Sequence, residues 1–349
     1  MIPLVWRFIG EGYRVILGGS GKSGVLLKDT FPDLTFIPLP SPEIRYAARG
    51  RWLIWTLISQ MPAIIASYLR ERRMLQDIII AYKVDIVISD NRYGLYSKHA
   101  RCILVTHQVS PVLPVVWHWA EYPLYLIIRK LIHQFDECWI PDYPDPLMNL
   151  SGKLSHRYKL PRNARYVGIL SRFKSPQRFQ GMAISDYYDV VFVLSGPEPQ
   201  LGILFHICKA WADHAGKKTL IISGYHHKEY TSTTGNSHVR IVPHLDSVNF
   251  RQALVSAGVV ICRSGYSAIM DLITLGKTAI LIPTPGQTEQ EYLADSLSKK
   301  GLFRYIKQHK MEDARLCQYI NDLQISNASK FFPDQDEMSI PFLSNEEHR

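Results

Sequence analysis

A corner rich in hydrogen-bond donors follows the apolar run 259–262. A continuous apolar run is typical of a buried parallel strand, and the periodic apolar residues after it predict a helix that ends near Gly276. The first backbone N–H groups of such a helix can bind phosphate oxygens, and an arginine at the corner can add a charge-assisted contact. The residues of this predicted anion site are Arg263, Ser264, Gly265, Tyr266 and Ser267.

Side chains that can bind hydroxyl groups lie close to this corner in the sequence. Asp271 follows two turns into the predicted helix and can accept hydrogen bonds from ribose hydroxyls. A second apolar strand at 279–282 ends at Pro283, and the next loop carries Glu289 and Gln290, which can bind sugar hydroxyls. Because ligands of open α/β sheets bind beyond the carboxyl ends of the strands, this pattern predicts a site for a phosphorylated, hydroxyl-rich molecule.

Polar residues also follow two predicted strands of the first half. Asp90 and Asn91 come after the apolar run 84–88, and His107 comes after the run 102–105. A histidine at a strand end is suited to act as a general base near neutral pH. The alternative for all three residues is structural, in which the histidine hydrogen-bonds its own loop and the other two form a turn.

Strands and helices alternate along most of the 349 residues, which predicts an α/β fold with parallel, doubly wound sheets. The polar, basic and proline-containing segment 150–165 is where we place a domain junction. We therefore predict an N-terminal domain at 1–165 and a C-terminal domain at 166–325. The acidic residues and lost periodicity of 326–349 predict a disordered tail.

The polar corner and its surroundings resemble the donor-site signature of glycosyltransferase family 28. The residues that carry this resemblance are Cys262-Arg263-Ser264-Gly265, Asp271, Gly276, Pro283 and Gln290. Three further segments resemble the family in the same order, namely His107-Gln108, Val167 to Arg172, and Leu194-Ser195-Gly196. The resemblance covers most of residues 4–323 and is more specific in the second half.

Membership would imply the GT-B fold, in which two Rossmann-like domains face each other across a cleft. The second domain would bind a nucleotide-sugar donor of the UDP-linked type, and the first would bind a sugar or lipid-linked acceptor. The resemblance implies a metal-independent, inverting transfer without a cofactor. It assigns Arg172 and Gly196 to the diphosphate side, the backbone of His244 and Leu245 to the nucleobase, His107 to catalysis, and Asp90, Asn91 and Gln108 to the acceptor side.

The first forty residues depart from the family pattern, which begins with a strand and a glycine- and histidine-rich loop. The pattern of residues 2–9 predicts the helix that comes first in the family, and that of residues 13–17 predicts the family's second strand. We therefore expect the first strand of the N-terminal domain to be missing from this sequence. The loss of a central strand would leave two neighbouring strands with unpaired edges.

Two other functions remain open at this point. One is a nucleotide-sugar epimerase, which shares the GT-B fold, and the other is a non-catalytic nucleotide-sugar-binding protein. The five cysteines are scattered without a CxxC pair, and the histidines at 226, 227 and 244 provide no ligand set, so neither a disulfide framework nor a metal site is predicted. The cysteine pattern fits a reducing cytoplasm.

The net charge of +9 is concentrated in residues 1–165, which carry 21 Lys/Arg and 13 Asp/Glu. Several arginines there flank an apolar segment with two tryptophans, and such a surface can rest on an anionic membrane. The alternative is a helix that faces the core and exposes a basic side. A nucleic-acid partner is not expected, because no recognised module is present. The residues in question are Arg45, Arg49, Arg51, Trp52, Trp55, Arg70, Arg72 and Arg73.

Overall fold

The computed structural model describes residues 1–40, 53–174, 187–224, 237–311 and 313–324. Within these residues the chain forms two compact units. The first consists of Met1–Ile64 and Ser171–Pro333, and the second of Ile65–Leu170. The predicted tail at 326–349, the histidines at 226 and 227, the basic residues Arg45, Arg49 and Arg51, and Trp52 lie outside the described residues.

Helices and strands alternate as the sequence predicts. The elements of the first half are α1 (Ile2–Gly10), β1 (Ile16–Gly19), α2 (Gly21–Thr30), β2 (Thr35–Pro38), α3 (Leu53–Tyr82), β3 (Ile86–Asp90), β4 (Arg101–Val105), a 3-10 helix (Val115–Ala120), α4 (Glu121–Ile132), β5 (Glu137–Ile140), α5 (Lys153–His156) and β6 (Ala164–Tyr166). Those of the second half are β7 (Tyr188–Val193), α6 (Gln200–His214), β8 (Thr219–Ile222), β9 (Val239–Val242), α7 (Ser247–Ser256), β10 (Ala257–Cys262), α8 (Tyr266–Thr274), β11 (Ala279–Leu281), α9 (Thr288–Lys299), β12 (Arg304–Tyr305), a second 3-10 helix (Gln308–Lys310) and α10 (Asp313–Gln324).

A six-stranded sheet with all pairs parallel organises the first unit. Its strand order is β12-β11-β10-β7-β8-β9, so the chain begins at the central strand β7, builds one half of the sheet and then returns to build the other. This is the doubly wound arrangement, and the order reverses between β7 and β10. The α/β prediction with doubly wound parallel strands is confirmed for this sheet.

Both faces of this sheet are covered, which explains why its strands are continuous apolar runs instead of alternating ones. Residues from β7, β8, β9, β10 and β11 join one face of α6 and residues of α10 in a single core. Trp211 of α6 packs edge to face on Phe192 of β7, with ring centroids 5.5 Å apart. The core thus fixes the carboxyl ends of β7, β10 and β11 relative to each other.

The second unit contains a four-stranded parallel sheet in the order β3-β4-β5-β6. The strands β4 and β5 are almost completely buried, and the segment 150–165, which the sequence marks as a junction, contributes β6 to this sheet. The buried carboxylate of Asp142 holds the turn after β5, because it accepts hydrogen bonds from the backbone N–H groups of Tyr143, Leu150 and Ser151.

The first forty residues form two helices and a two-stranded sheet within the first unit. The predicted helix is α1, whose residues Val5 and Trp6 pack with Leu17 and Phe31. The following strand begins three residues later than predicted, because its ladder with β2 starts only at the pair Ile16–Thr35. Within the described residues β1 pairs with β2 alone, in a two-stranded sheet that is separate from β3-β4-β5-β6.

Within the described residues, every helix is too short or too polar to cross a lipid bilayer.

Candidate functional site

The loops that follow β7 and β10 lie at the reversal point of the six-stranded sheet, where open α/β sheets bind their ligands. The first of these loops contains Gly196, and the second contains Ser264 and Gly265. Because β7 and β10 are hydrogen-bonded neighbours, with Cys262 opposite Val193, both loops emerge at the same edge. The topology therefore brings together two predicted binding segments that are some 68 residues apart in the sequence.

Helix α8 begins at this edge with an open N-terminus. Gly265 is its N-cap residue, and no side chain caps the helix. A Cβ atom built on Gly265 would meet nothing within 4 Å, so free space adjoins the first backbone N–H groups of the helix. Tyr266 is buried, whereas Ser267 is exposed. An anion can reach this helix end, and the positive end of the helix dipole favours it.

Arg263 has a different role from the predicted phosphate contact. Its side chain is 2 % exposed, and its guanidinium donates hydrogen bonds to four backbone carbonyls. Burial lowers the pKa of Arg263 to about 10. The carbonyls belong to Ser195 after β7, to Ile282 and Pro283 after β11, and to Gln200 at the start of α6. Arg263 therefore ties three loops of the sheet edge together.

Arg172 is the arginine that remains available. Its Nε donates to Oδ2 of Asp271 over 2.9 Å, and its guanidinium carbon lies 5.0 Å from the ring centroid of Phe250. Neither Nη1 nor Nη2 has a hydrogen-bond partner among the residues that the structure describes. The side chain is 23 % exposed. Its two free nitrogens form the planar fork that suits a phosphate or diphosphate group.

Asp271 does not present a free carboxylate. It is 5 % exposed and accepts from Ser171 Oγ at 2.7 Å, from the Arg172 backbone N–H at 3.3 Å and from Arg172 Nε. Burial raises the pKa of the Asp271 carboxyl, and the positive charge of Arg172 lowers it again in part. The hydrogen bonds that the sequence assigns to ribose hydroxyls are thus made here to protein groups.

The glycine turn after β7 faces an unsatisfied hydroxyl. Gly196 has φ +118°, a conformation that only glycine adopts without strain, and a Cβ atom at this position would lie 3.5 Å from Thr284 Oγ1. Thr284 is 1 % exposed, and its Oγ1 has no hydrogen-bond partner within the described residues. A buried polar atom of this kind is unusual in a folded protein and is well placed to serve a bound ligand.

The loop between β11 and α9 is fixed by Gln290. Its side-chain oxygen accepts from the backbone N–H of Thr284 at 2.9 Å, and its backbone carbonyl accepts from Ser264 Oγ at 2.8 Å. The structure thus brings two predicted ligand residues, Ser264 and Gln290, into direct contact. Glu289, the second residue of α9, is partly exposed.

His244 and Leu245 lie after β9, next to the N-terminus of α7. His244 is exposed and Leu245 is partly buried. Asp246 caps α7 by accepting from the backbone N–H groups of Val248 and Asn249. The same helix carries Phe250, whose ring centroid lies 5.0 Å from the Arg172 guanidinium carbon.

The predicted acceptor-side residues lie at the carboxyl ends of β3 and β4 in the second unit. Asp90 is paired in register with Val105, and the Asn91 backbone N–H donates to the Val105 carbonyl. Thr106 Oγ1 bridges the two loops, because it donates to Asn91 Oδ1 at 3.0 Å and accepts from the Gln108 backbone N–H at 3.1 Å. The partly buried His107 lies inside this bridge.

Sequence reasoning missed four residues of these two sites: Ser171, Phe250, Thr284 and Thr106. Ser171 and Phe250 hold the Asp271–Arg172 pair, and Thr284 and Thr106 lie at strand ends. The position of Thr284 just beyond the 279–282 run and Pro283 was a visible signal. Phe250 gave no such signal, since an aromatic residue on a helix usually serves the core.

The C-terminal part of the chain is similar to known proteins. Residues 190–343 match the model of the glycosyltransferase family 28 C-terminal domain. Two curated relatives carry the name UDP-N-acetylglucosamine–N-acetylmuramyl-(pentapeptide) pyrophosphoryl-undecaprenol N-acetylglucosamine transferase. The one from Desulforamulus reducens is 36% identical over 77 residues, which is 22% of this chain and 21% of the relative. The one from Haemophilus influenzae PittGG is 32% identical over 104 residues, or 30% of this chain and 29% of the relative.

Solved structures share the fold over nearly the whole chain. The spinosyn rhamnosyltransferase SpnG complexed with thymidine diphosphate has a TM-score of 0.62 at 13% identity and covers 94% of this chain and 89% of its own. MurG of Acinetobacter baumannii has a TM-score of 0.51 at 15% identity, and the match covers 93% of this chain and 85% of MurG. A putative UDP-N-acetylglucosamine 2-epimerase from Listeria monocytogenes has a TM-score of 0.53 at 10% identity, and the match covers 97% of this chain and 89% of the epimerase.

These findings agree with the reversal-point topology and confirm the predicted GT-B fold class. The curated relatives align with this chain over less than a third of their own length. Residues 190–343 are thus similar to the C-terminal domain of glycosyltransferase family 28, and the fold of the chain is that of the GT-B glycosyltransferases.

Proposed function

We propose that this protein transfers a sugar from a UDP-sugar to an acceptor hydroxyl. The observation that carries the proposal is the open N-terminus of α8 at the reversal point of the sheet, within the segment that matches the family 28 C-terminal domain. The same unit holds Arg172, whose Nη1 and Nη2 have no hydrogen-bond partner among the described residues, and the buried Thr284, whose Oγ1 has none there either. These are the groups that a departing diphosphate and a sugar require.

In the proposed reaction the acceptor oxygen attacks the anomeric carbon of the sugar, the bond between that carbon and the diphosphate oxygen breaks, and UDP leaves. The helix end at Gly265 and the Arg172 guanidinium would stabilise the negative charge that develops on the diphosphate. A direct displacement of this kind inverts the anomeric centre. The acceptor proton passes to a base, for which His107 is the candidate, beside Asp90, Asn91 and Gln108.

The donor site is tested by closing the space at Gly265. A methyl group at this position would meet no atom of the described residues within 4 Å, so Gly265→Ala should fold normally, but it should obstruct a phosphate that approaches the helix end. We expect UDP affinity, measured by calorimetry, to fall at least about tenfold. Gly10→Ala is the matched control, since an added Cβ atom meets nothing there either and Gly10 lies in α1. Equal UDP affinity in all three proteins would refute the site.

The reaction is tested by following UDP-N-acetylglucosamine, the donor in the name of the curated relatives, by NMR. Transfer should release UDP only when an acceptor is added, and lipid extracts as well as free glycans should be tried. Conversion of the sugar to its C2 epimer without any acceptor would favour the epimerase instead. Binding of UDP with no turnover under any condition would favour a non-catalytic nucleotide-sugar-binding protein.

A membrane-bound acceptor is favoured by an apolar surface of the second unit. The 3-10 helix and the adjoining α4 expose six large apolar side chains, and Val115 is 80% and Trp119 70% exposed. Glu121 is the one acidic residue between positions 111 and 135; it is buried and paired with Arg157. Arg129 and Lys130 lie in the last turn of α4. We call this surface the apolar ridge: Val115, Val116, Trp119, Tyr122, Leu126 and Ile127.

We propose that the apolar ridge rests on an anionic bilayer from the cytoplasmic side, because it combines exposed apolar side chains with basic and no acidic charge. The wild-type protein should float with phosphatidylglycerol vesicles in a salt-sensitive manner. Trp119→Ser should lower the recovered fraction several-fold, whereas Ile203→Ser, at an exposed apolar position of α6, should not. Equal flotation of both variants with the wild type would contradict the proposal.

A further inference from the structure

The residue after β3 has an uncommon backbone conformation. Asn91 has φ +53°, a left-handed value that residues other than glycine rarely adopt, and the residue is exposed. Its backbone N–H donates to the Val105 carbonyl at 2.9 Å, so the neighbouring strand β4 holds this conformation in place. Residues in such conformations cluster at ligand sites, and Asn91 is therefore a candidate for binding.

The orientation of the Asn91 amide follows from the hydroxyl of Thr106, which is 2 % exposed. A hydroxyl group has one hydrogen to donate and two lone pairs with which to accept. Thr106 Oγ1 accepts from the Gln108 backbone N–H at 3.1 Å, and it also bonds the Tyr93 hydroxyl. Burial raises the pKa of Tyr93, so the phenol keeps its proton, and Thr106 is its one partner among the described residues. Tyr93 therefore donates, and both lone pairs of Thr106 are used.

Thr106 must then donate its own hydrogen to Asn91, and the atom that accepts it is Oδ1 at 3.0 Å. The opposite amide orientation would place Nδ2, which can only donate, against a hydroxyl whose lone pairs are both taken. Nδ2 is therefore turned away from Thr106. Neither of its two hydrogens has a partner in the part of the chain that the structure describes.

Two more polar side chains accompany the amide at these strand ends. Asp90 is exposed and Gln108 is partly buried, and neither side chain has a hydrogen-bond partner within the described ranges. The pairing of Asp90 with Val105 brings the two strand ends together. A carboxylate that accepts and amides that donate can bind the neighbouring hydroxyl groups of a sugar ring, and this edge therefore suits a saccharide.

We propose that Asn91 Nδ2 donates to an oxygen of the acceptor saccharide, and that Thr106 and Tyr93 are positioning residues that turn this amide outward. The inference deepens the proposed function and rests on it, because the saccharide is taken to be the acceptor of the transfer. An amide whose orientation is already fixed loses less freedom on binding than one that rotates. The relay thus prepares Asn91 before the acceptor arrives.

Asn91→Gly removes the amide and keeps the backbone, because glycine adopts a positive φ without strain. The probes are the methyl glycosides of glucose, galactose, mannose and N-acetylglucosamine, titrated by NMR into the full chain in the presence of UDP. We expect the variant to weaken the binding of the preferred glycoside about fivefold or more and to leave UDP affinity unchanged. Lys83→Gly is the matched control, since Lys83 has φ +51° but follows α3, and it should bind as the wild type does.

The relay is tested by two substitutions of Thr106. Valine keeps the shape and removes the hydroxyl, so the amide can rotate, and glycoside affinity should fall about two- to fivefold. Thr106→Ser keeps the hydroxyl and should restore the wild-type affinity. In the Asn91→Gly background, Thr106→Val should cause no further loss, because the amide through which it acts is gone. Additive losses, or a serine variant as weak as the valine variant, would overturn the positioning role.

Tyr93→Phe keeps the question answerable if Thr106→Val fails to fold. It frees one lone pair of Thr106, so both amide orientations become possible, and glycoside affinity should fall about twofold. Unchanged affinity in this variant or in Asn91→Gly would overturn the proposal, as would a wild type that binds none of the four glycosides. If the glycosides bind through Asn91 but UDP does not bind, the proposed function fails and Asn91 remains a saccharide-binding residue.

Discussion

Two arginines of the first unit, Arg263 and Arg172, are both predicted phosphate ligands, and the structure separates them. Arg263 is buried and donates to four backbone carbonyls, which join the ends of three strands and the start of α6. Arg172 is partly exposed, is held by one carboxylate and by aromatic rings, and keeps two nitrogens free within the described residues. One arginine builds the sheet edge, and the other is available to a ligand.

The difference shows how a structural residue can be told from a ligand-binding one. Whether its hydrogen-bonding groups already have protein partners is more informative than its place in a sequence motif. Groups that are satisfied inside the protein lose little if a ligand is absent. Groups that are buried or half-buried without a partner cost free energy until something binds to them. By this criterion Arg172 Nη1 and Nη2, Thr284 Oγ1 and the open end of α8 belong to the site, and Arg263 supports it.

The largest expected effect is that of Arg263→Met on folding. Methionine fills the space of the aliphatic stem but leaves four carbonyl groups without their donor, so we expect the free energy of unfolding to fall by at least about 3 kcal/mol. Urea unfolding followed by circular dichroism measures the change. UDP binding should be lost together with the fold of the sheet edge.

Arg240→Met is the matched control for this prediction, since Arg240 is an exposed arginine on β9 of the same sheet. It should change the free energy of unfolding by less than about 1 kcal/mol. A stable Arg263→Met protein that folds normally and has lost only its UDP affinity would reverse the comparison, because Arg263 would then be the ligand contact.

Arg172→Ala should have an intermediate and pH-dependent effect. Burial raises the pKa of Asp271, and without Arg172 nothing of opposite charge lowers it again. The folded variant then binds a proton at a higher pH than the unfolded chain does, so its stability falls as the pH rises. We expect a deficit of about 1–3 kcal/mol at pH 8, smaller than for a fully buried pair because Arg172 is partly exposed.

Urea unfolding of Arg172→Ala at pH 5, 6.5 and 8 checks this prediction, and the deficit relative to the wild type should shrink toward pH 5. The double variant Arg172→Ala/Asp271→Asn serves as the control, because it lacks the buried carboxylate and should lose the added pH dependence. A deficit that is constant across the three pH values would mean that Asp271 is not the group left unpaired.

The sequence predicted the strands of the second half well, because continuous apolar runs have few alternatives to a buried parallel strand. It also located the polar corner at Ser264 and Gly265, since the strand end and the helix start are both visible. It could not predict the pairing of β7 with β10, which depends on contacts between distant segments. Nor could it predict that Arg263 turns inward and Asp271 turns toward Arg172, because residue type and spacing do not fix the direction of a side chain.

The smallest expected effect is that of Thr284→Val. This variant tests whether a buried group without a protein partner serves the ligand and not the fold. The substitution replaces a buried hydroxyl that has no partner within the described residues by a methyl group of similar size, so stability should stay the same or rise by about 0.5–1 kcal/mol. If the hydroxyl serves a ligand, affinity for the UDP-sugar should nevertheless fall several-fold. Melting curves and calorimetry measure the two quantities on one preparation.

Ser171→Ala is the contrasting variant, because the Ser171 hydroxyl is bonded to Asp271 and its removal should lower stability. A clear loss of stability in Thr284→Val would mean that this hydroxyl contributes to the fold despite its lack of a partner. Unpaired groups at this edge would then no longer mark the ligand site, and Arg172 would need independent support. A stable Thr284→Val protein with weakened donor binding would instead extend the comparison from two arginines to the polar groups of the whole sheet edge.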